Sequence, residues 1–222
     1  MKNNGKMIKK VTIFATIIFI LMLLLVKTGV VENNDLLVKE IIENVRTKNL
    51  NIFFVVITNL GSTIPVIVIV LGMVLHILFK NKNKEDSNIK DIMFMTITLG
   101  VSAGLFVLIK QIIKRPRPEM LDSVIIQGGY SFPSGHSAVA MTVYLTLMIL
   151  FGKYIKNIKT RKVINVLCSL IIILIGFSRI YLGVHYLSDI IAGFALGIVS
   201  TLTCYRIIYG EKKGVKDGEN RK

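Results

Sequence analysis

The chain has 222 residues, of which 53% are hydrophobic and 18% charged, with no tryptophan, a formal net charge of +15 and a mean hydropathy of +0.65. A soluble domain of this length carries more charge and does not gather its apolar residues into such long runs, so an ordinary water-soluble fold is excluded. Nucleic acid is excluded as the partner that the basic excess would suggest, because the positive residues cluster at the ends of apolar runs, as topology signals do.

Residues 1–10 carry Lys2, Lys6, Lys9 and Lys10 ahead of an apolar run from Val11 to Val26. This resembles a signal peptide, but no small-x-small cleavage site follows, so the run is expected to be an uncleaved first membrane helix. Between 32 and 51, Leu37, Val38, Ile41, Ile42 and Val45 recur at helical spacing opposite Lys39, Glu40 and Glu43, the pattern of a helix lying on the membrane surface. A second span from about Ile52 to Phe79 exceeds the roughly 20 residues a bilayer needs, so tilt or extension past the interface is expected. Pro65 is its expected kink and His76 an ordinary interfacial residue.

A charged loop at 80–91 precedes the third span, Ile92 to Ile113, which runs into Lys114-Arg115-Pro116-Arg117-Pro118. The loop 119–132 leads to the fourth span, Ala138–Phe151. A basic loop at 152–162 then precedes the fifth, Val163–Ile180, and the sixth runs from Val184 to Ile208. Cys168 and Cys204 fall inside these runs and read as core residues rather than a disulfide. Gly193 and Gly197 form a small-xxx-small seam, read as packing within the bundle. The polar tail from Gly210 reads as disordered. The fold class expected is all-α, an integral membrane bundle of six transmembrane helices. Its expected division is 1–51 for the first membrane helix and the surface helix, 52–209 for the membrane-embedded core and 210–222 for a polar tail.

With the N-terminus inside, the head, the loops at 80–91 and 152–162 and the tail from Arg206 hold 19 of the 28 Lys and Arg residues but only 6 of the 13 acids. The positive-inside rule then puts both termini in the cytoplasm. Lys110, Lys114, Arg115, Arg117 and Arg179 break the rule, clustering at the outer ends of the third and fifth spans. Cations there cost up to about 2.5–3.5 kcal/mol each if central, and a bound anion would compensate for them. Snorkelling to lipid phosphates is the expected account of Arg115, and serves for Lys114 too. On a helix, Lys110, Lys114 and Arg117 share a face that Arg115 does not, and Pro116 and Pro118 should end that helix.

At the same outer level lies Ser131-Phe132-Pro133-Ser134-Gly135-His136-Ser137. Pro133 fixes a backbone angle, Gly135 permits a close approach, and residues 134–137 open a helix whose free N–H groups and dipole favour an anion. At the outer start of the sixth span, His185 and Asp189 are i, i+4 partners, so the carboxylate can fix one ring nitrogen and leave the other as a nucleophile or base. Lys110, Arg117 and Arg179 with the N–H groups near Ser134 and Gly135 suit the oxygens of a phosphoryl group. One histidine would attack and the other protonate the leaving oxygen; the Asp189 partner favours His185 as nucleophile, though the residues alone leave the order open. Of the acids only Glu119, Asp122 and Asp189 lie nearby, too few for a two-metal mechanism, so the reaction is expected to need no metal and no cofactor.

Lys110, six residues, Arg117-Pro118; Pro133-Ser134-Gly135-His136; and Ser178-Arg179, five residues, His185, three residues, Asp189 together resemble the signature blocks of the type 2 phosphatidic acid phosphatase and vanadium haloperoxidase superfamily. The likeness spans 110–189 and, through the six-helix plan, most of the chain. It implies a catalytic core on helices 3–6, a phosphohistidine at His185 oriented by Asp189, and His136 as general acid. It also implies that Lys110, Arg117, Ser134, Gly135 and Arg179 bind phosphate at the outer membrane face. Small members similar to this chain act on undecaprenyl diphosphate, phosphatidylglycerol phosphate or phosphatidic acid, so the partners expected are a lipid phosphate and the bilayer. A haloperoxidase is disfavoured because those relatives are soluble. A non-catalytic anion or phospholipid transporter or binding protein would use the cations but gives no reason for His185 beside Asp189.

Overall fold

Hydrocarbon offers the backbone no hydrogen bonds, so each apolar run has to satisfy its own peptide groups by closing into a helix. The computed structural model describes residues 2–80, 85–118, 124, 125 and 127–210, and all the regular structure among them is helical. In order these are α1 (Lys2–Lys27), α2 (Glu32–Val45), α3 (Lys48–Asn59), α4 (Thr63–Lys80), α5 (Glu85–Ile113), α6 (Gly135–Tyr154), α7 (Ile158–Tyr181) and α8 (Leu187–Tyr209). Five of them are long and apolar enough to cross a bilayer, and α3 with α4, bent by 44°, form a sixth candidate span. The tail beyond Gly210 lies outside the described residues.

The second span is broken rather than kinked at its proline. The chain leaves helical geometry at Leu60, Gly61 and Ser62, and Pro65 sits in the first turn of α4, where its missing N–H is no loss. The third span ends at its expected limit. α5 stops at Ile113, and Lys114 takes a left-handed conformation with φ 51°, just ahead of Pro116. The shared face of Lys110, Lys114 and Arg117 therefore does not exist as one helical surface: Lys114 is exposed, while Lys110 and Arg117 both donate to Tyr130 O.

The bundle is organised about α6 and α8. Cβ atoms at Gly193 and Gly197 would lie 2.6 Å from Ser134 O and 2.8 Å from Ala138 O, so the seam is buried inside this chain and lets α8 touch the α6 backbone. α5 and α7 flank this pair, and Cys168 and Cys204 are both buried, unpaired, in the apolar core. At the end of the bundle away from α6's N-terminus, the fully buried Asp91 of α5 accepts from Lys153 at 2.6 Å and from the hydroxyls of Tyr154 and Tyr209, tying α5, α6 and α8 together.

α2 lies across the opposite end. Leu36, Leu37, Ile41 and Val45 are exposed along it, whereas Asp35 and Ile42 are buried, so it turns an apolar face outward and anchors by two residues. The α2–α3 corner is held by Tyr181 of α7, whose hydroxyl accepts from Thr47 N at 2.9 Å and whose ring lies 4.4 Å from that of Phe54.

Candidate active site

Three short segments meet at that end. The first follows α5, the second is the loop 127–134 entering α6, and the third is the turn from α7 to α8. Gly183, with φ 74°, ends α7 abruptly, and both Val184 N and His185 N return to Arg179 O at 3.1 and 3.3 Å. His185 thus stands on a tight turn before α8 rather than within the span. Ser134 N donates to Asp189 O at 3.0 Å, which fastens the start of α6 to the first turn of α8.

His185 is 2% exposed and Asp189 fully buried. The ring Nδ1 is 3.3 Å from Asp189 Oδ2, which also accepts from Tyr186 N at 3.0 Å and from the Ser131 hydroxyl. On the other side, Nε2 lies 3.1 Å from Arg117 Nη1, a group that can only donate. The network therefore assigns the proton to Nδ1 and leaves Nε2 with its lone pair. Burial, reinforced by Arg179 and Arg117 and opposed by Asp189, pushes the His185 pKa down from 6.5 to about 3, so the ring is neutral at physiological pH.

Three cations lie near the same ring. Arg117 Nη1 donates to Val184 O at 2.6 Å, and its remaining nitrogens donate to Gly128, Gly129 and Tyr130 carbonyls. Lys110 Nζ donates to Tyr130 O and Ser131 O at 2.5 and 3.0 Å. Arg179, only 1% exposed, donates to Thr58 Oγ1 at 2.8 Å, and its Nε and Nη2 have no hydrogen-bond partner among the described residues. Buried guanidinium N–H groups rarely stay unmatched, and two on one fork suit an anion with adjacent oxygens.

Ser134 caps α6, its hydroxyl accepting from Ser137 N and Ser137 Oγ, and a Cβ at Gly135 would lie 3.1 Å from the Phe106 ring. Gly135 and His136, which open α6, line the same cavity as Lys110 and His185. A cavity of about 410 Å³ joins His136, His185, Lys110 and Gly135 at its polar end to Val66, Leu99 and Phe106 along its length. Gly61, at the break between α3 and α4, also lines it, and a Cβ there would press on Ile175 at 2.9 Å and lie in ordinary contact with His136 at 3.5 Å. A second cavity of about 430 Å³ between α1, α6, α7 and α8 contains no ionisable lining residue and has no part in this chemistry.

All eight residues singled out in the sequence — Lys110, Arg117, Ser134, Gly135, His136, Arg179, His185 and Asp189 — lie at this end of the bundle. Glu119 and Asp122 lie outside the described residues. Arg115 corrects the expectation that it snorkels to lipid. Its Nη1 donates to Asp189 Oδ1 at 2.8 Å and Ser188 Oγ at 2.7 Å, its Nη2 donates to Asp35 Oδ2 at 2.7 Å, and the Tyr186 ring lies 4.1 Å from the guanidinium carbon. Intramolecular carboxylates outcompete lipid phosphate here because two of them are already buried and need a counter-charge. Asp35, Thr58, Ser131 and Ser188 also join the site. Only Ser131 had a local signal, its place in the stretch before α6.

A family model described as the PAP2 superfamily matches residues 91–213. Phosphatidylglycerophosphatase B of Bacillus subtilis (strain 168) is 30% identical over 198 residues, which cover 87% of this chain and 91% of that protein. An undecaprenyl-diphosphatase of Sulfolobus acidocaldarius is 35% identical over a shorter stretch of 68 residues, 31% of this chain and 29% of that protein. The crystal structure of a transmembrane PAP2 type phosphatidylglycerolphosphate phosphatase from Bacillus subtilis superposes with a TM-score of 0.82 at 25% identity, covering 91% of this chain and 98% of that one.

Proposed function

This chain belongs to the PAP2 superfamily, and we propose from that premise that it hydrolyses a phosphoryl group from a membrane lipid phosphate or diphosphate. One observation carries the reading. An imidazole whose Nε2 keeps its lone pair, held at Nδ1 by a buried carboxylate and met at Nε2 by Arg117, shares a mostly apolar cavity with Lys110 and the first residues of α6. Such a cavity suits a molecule with an anionic head and a hydrocarbon tail.

In the proposed reaction the phosphoryl oxygens sit between Lys110, Arg117, Arg179 and the N–H groups near Ser134 and Gly135. The His185 Nε2 lone pair attacks phosphorus as the bond to the leaving oxygen breaks, and His136 gives that oxygen its proton. Asp189 stabilises the positive charge that appears on the ring of the resulting phosphohistidine. His136, now a base, takes a proton from a water whose oxygen attacks phosphorus, releasing phosphate and restoring His185. No step requires a metal. Residues 52–209 form the proposed phosphatase core. The distribution of Lys and Arg supports cytoplasmic termini and an active site at the outer face of the membrane.

The substrate class follows from the cavity and the family; undecaprenyl diphosphate, phosphatidylglycerol phosphate and phosphatidic acid are the lipids to compare. Phosphate release by purified protein and by His185→Ala is the test. Release by the wild type and its loss in the variant are expected. Undiminished release from His185→Ala refutes the nucleophile, and phosphate binding without release by the wild type favours an anion carrier.

A further inference from the structure

The geometry points to Arg115 and Asp35 as a positioning pair that holds Asp189, and through it the His185 ring, in working orientation. This rests on the phosphatase reading above. Asp35 belongs to α2, outside the segment 91–213 matched by the family model, so the reaction centre draws on a part of the chain that the signature blocks do not include.

The two oxygens of Asp189 have different partners. Oδ2 receives Ser131, Tyr186 N and His185 Nδ1, whereas Oδ1 receives Arg115 Nη1. A carboxylate can rotate about its last bond, and a donor on Oδ1 from the opposite side stops that rotation. Arg115 is also the cation in direct contact with this fully buried carboxylate. Asp189 and Asp35 together raise the Arg115 pKa against the opposing effect of burial, so its charge is secure.

Arg115 is itself held at three points. Asp35 Oδ2 accepts from its Nη2, Ser188 Oγ from its Nη1, and the Tyr186 ring covers one face. Asp35 then reaches the start of α8 directly, accepting from Ser188 N at 3.0 Å and Ser188 Oγ at 2.5 Å. Arg115 touches neither the cavity nor the edge of His185 that bears Nε2, so its effect on the reaction has to pass through Asp189. Without Asp35, the Nη2 side of Arg115 loses its partner and competes for lipid phosphate, the course its sequence position first suggests.

The test measures kcat and KM of the full-length protein in detergent with dioctanoyl phosphatidic acid, phosphatidylglycerol phosphate and a polyprenyl diphosphate, using whichever the wild type hydrolyses. Arg115→Gln and Asp35→Asn are expected to lower kcat by roughly 10–100-fold, the scale seen when an outer partner that orients a functional imidazole is lost, with KM little changed. Arg115→Lys should recover part of the loss. In an Asp189→Asn background, Arg115→Gln should add almost nothing, because both act through one carboxylate. Full activity of Arg115→Gln, a rise in KM alone, or an undiminished further loss in the Asp189→Asn background would overturn the inference. Should Arg115→Gln fail to fold with two buried carboxylates left facing each other, Arg115→Gln with Asp35→Asn removes one charge of each sign and is judged by the same criteria. Absence of hydrolysis by the wild type on all three lipids would refute the phosphatase reading itself; activity in the wild type matched by Arg115→Gln would refute only the positioning role.

Discussion

Replacing Gly193 by alanine tests whether the site is assembled by the contact of α6 with α8. The added Cβ would lie 2.6 Å from Ser134 O, 2.9 Å from Ser137 Cβ and 3.2 Å from Ala138 N, where ordinary contact begins at 3.4 Å. The nearest atom is backbone and cannot rotate away, so the two helices have to part by about 0.8 Å. Overpacking of this kind costs about 1–3 kcal/mol. At roughly 2–4 °C per kcal/mol for a chain of this size, the melting temperature in detergent should fall by several degrees. The displacement falls at Ser134, whose N–H is bonded to Asp189 O and whose helix faces His185. A misplacement near 1 Å can lower turnover about 10²-fold, so activity should drop well beyond what lost stability explains. Gly104→Ala on α5, where a Cβ meets nothing within 4 Å, is the control. It should leave both quantities unchanged or raise stability slightly, since alanine favours a helix over glycine by about 1 kcal/mol. Wild-type melting and turnover in Gly193→Ala would refute the reasoning.

Thr58→Val removes the acceptor of Arg179 Nη1, a hydrogen bond to a charged group worth about 1.5–3 kcal/mol. The freed guanidinium should bind phosphate less well, lowering kcat/KM about tenfold or more by that energy, and unchanged kinetics would show that Thr58 plays no part. His185 is buried with its pKa lowered from 6.5 to about 3, so between those values the unfolded chain holds a proton that the folded one lacks. Its contribution to stability is therefore complete above about pH 6.5 and is lost as pH falls toward 3. Melting curves should show a steeper loss of stability over that window for the wild type than for His185→Phe. Activity should persist in excess EDTA with any contaminating metal removed; its disappearance, restored by a divalent cation, would contradict the proposed chemistry.

Much of the site was legible because its blocks are local. The four-residue spacing of His185 and Asp189 puts the carboxylate within reach of Nδ1 even though His185 precedes the helix, since the turn before α8 preserves the contact. Gly135 and Ser134 announced a helix N-terminus, and the prolines after Arg115 announced the end of α5. Cations that break the charge rule marked the level at which all of them meet. These features depend on the period of a helix and on which residues begin or end one, both set by neighbouring residues.

Other features required the assembled bundle. Arg115 differs from Arg117 by two positions in one basic cluster, yet one grips the carboxylate from behind and the other faces Nε2. Helical spacing set Arg115 on a different face from Arg117 but did not say what either face meets, because a left-handed Lys114 resets the chain after α5. Asp35 looks like any acid on the polar stripe of a surface helix, and its partners Arg115 and Ser188 lie 80 and 153 residues away. The sequence by itself determined that there are membrane helices and which residues can carry phosphoryl chemistry, because hydropathy and spacing act over one helix at a time. Only the tertiary structure decided which carboxylate is held by which cation and where the second span breaks to admit a cavity. Those outcomes depend on which distant faces pack together, and small residues such as Gly61 and Gly193 reveal that only when their neighbours are in place.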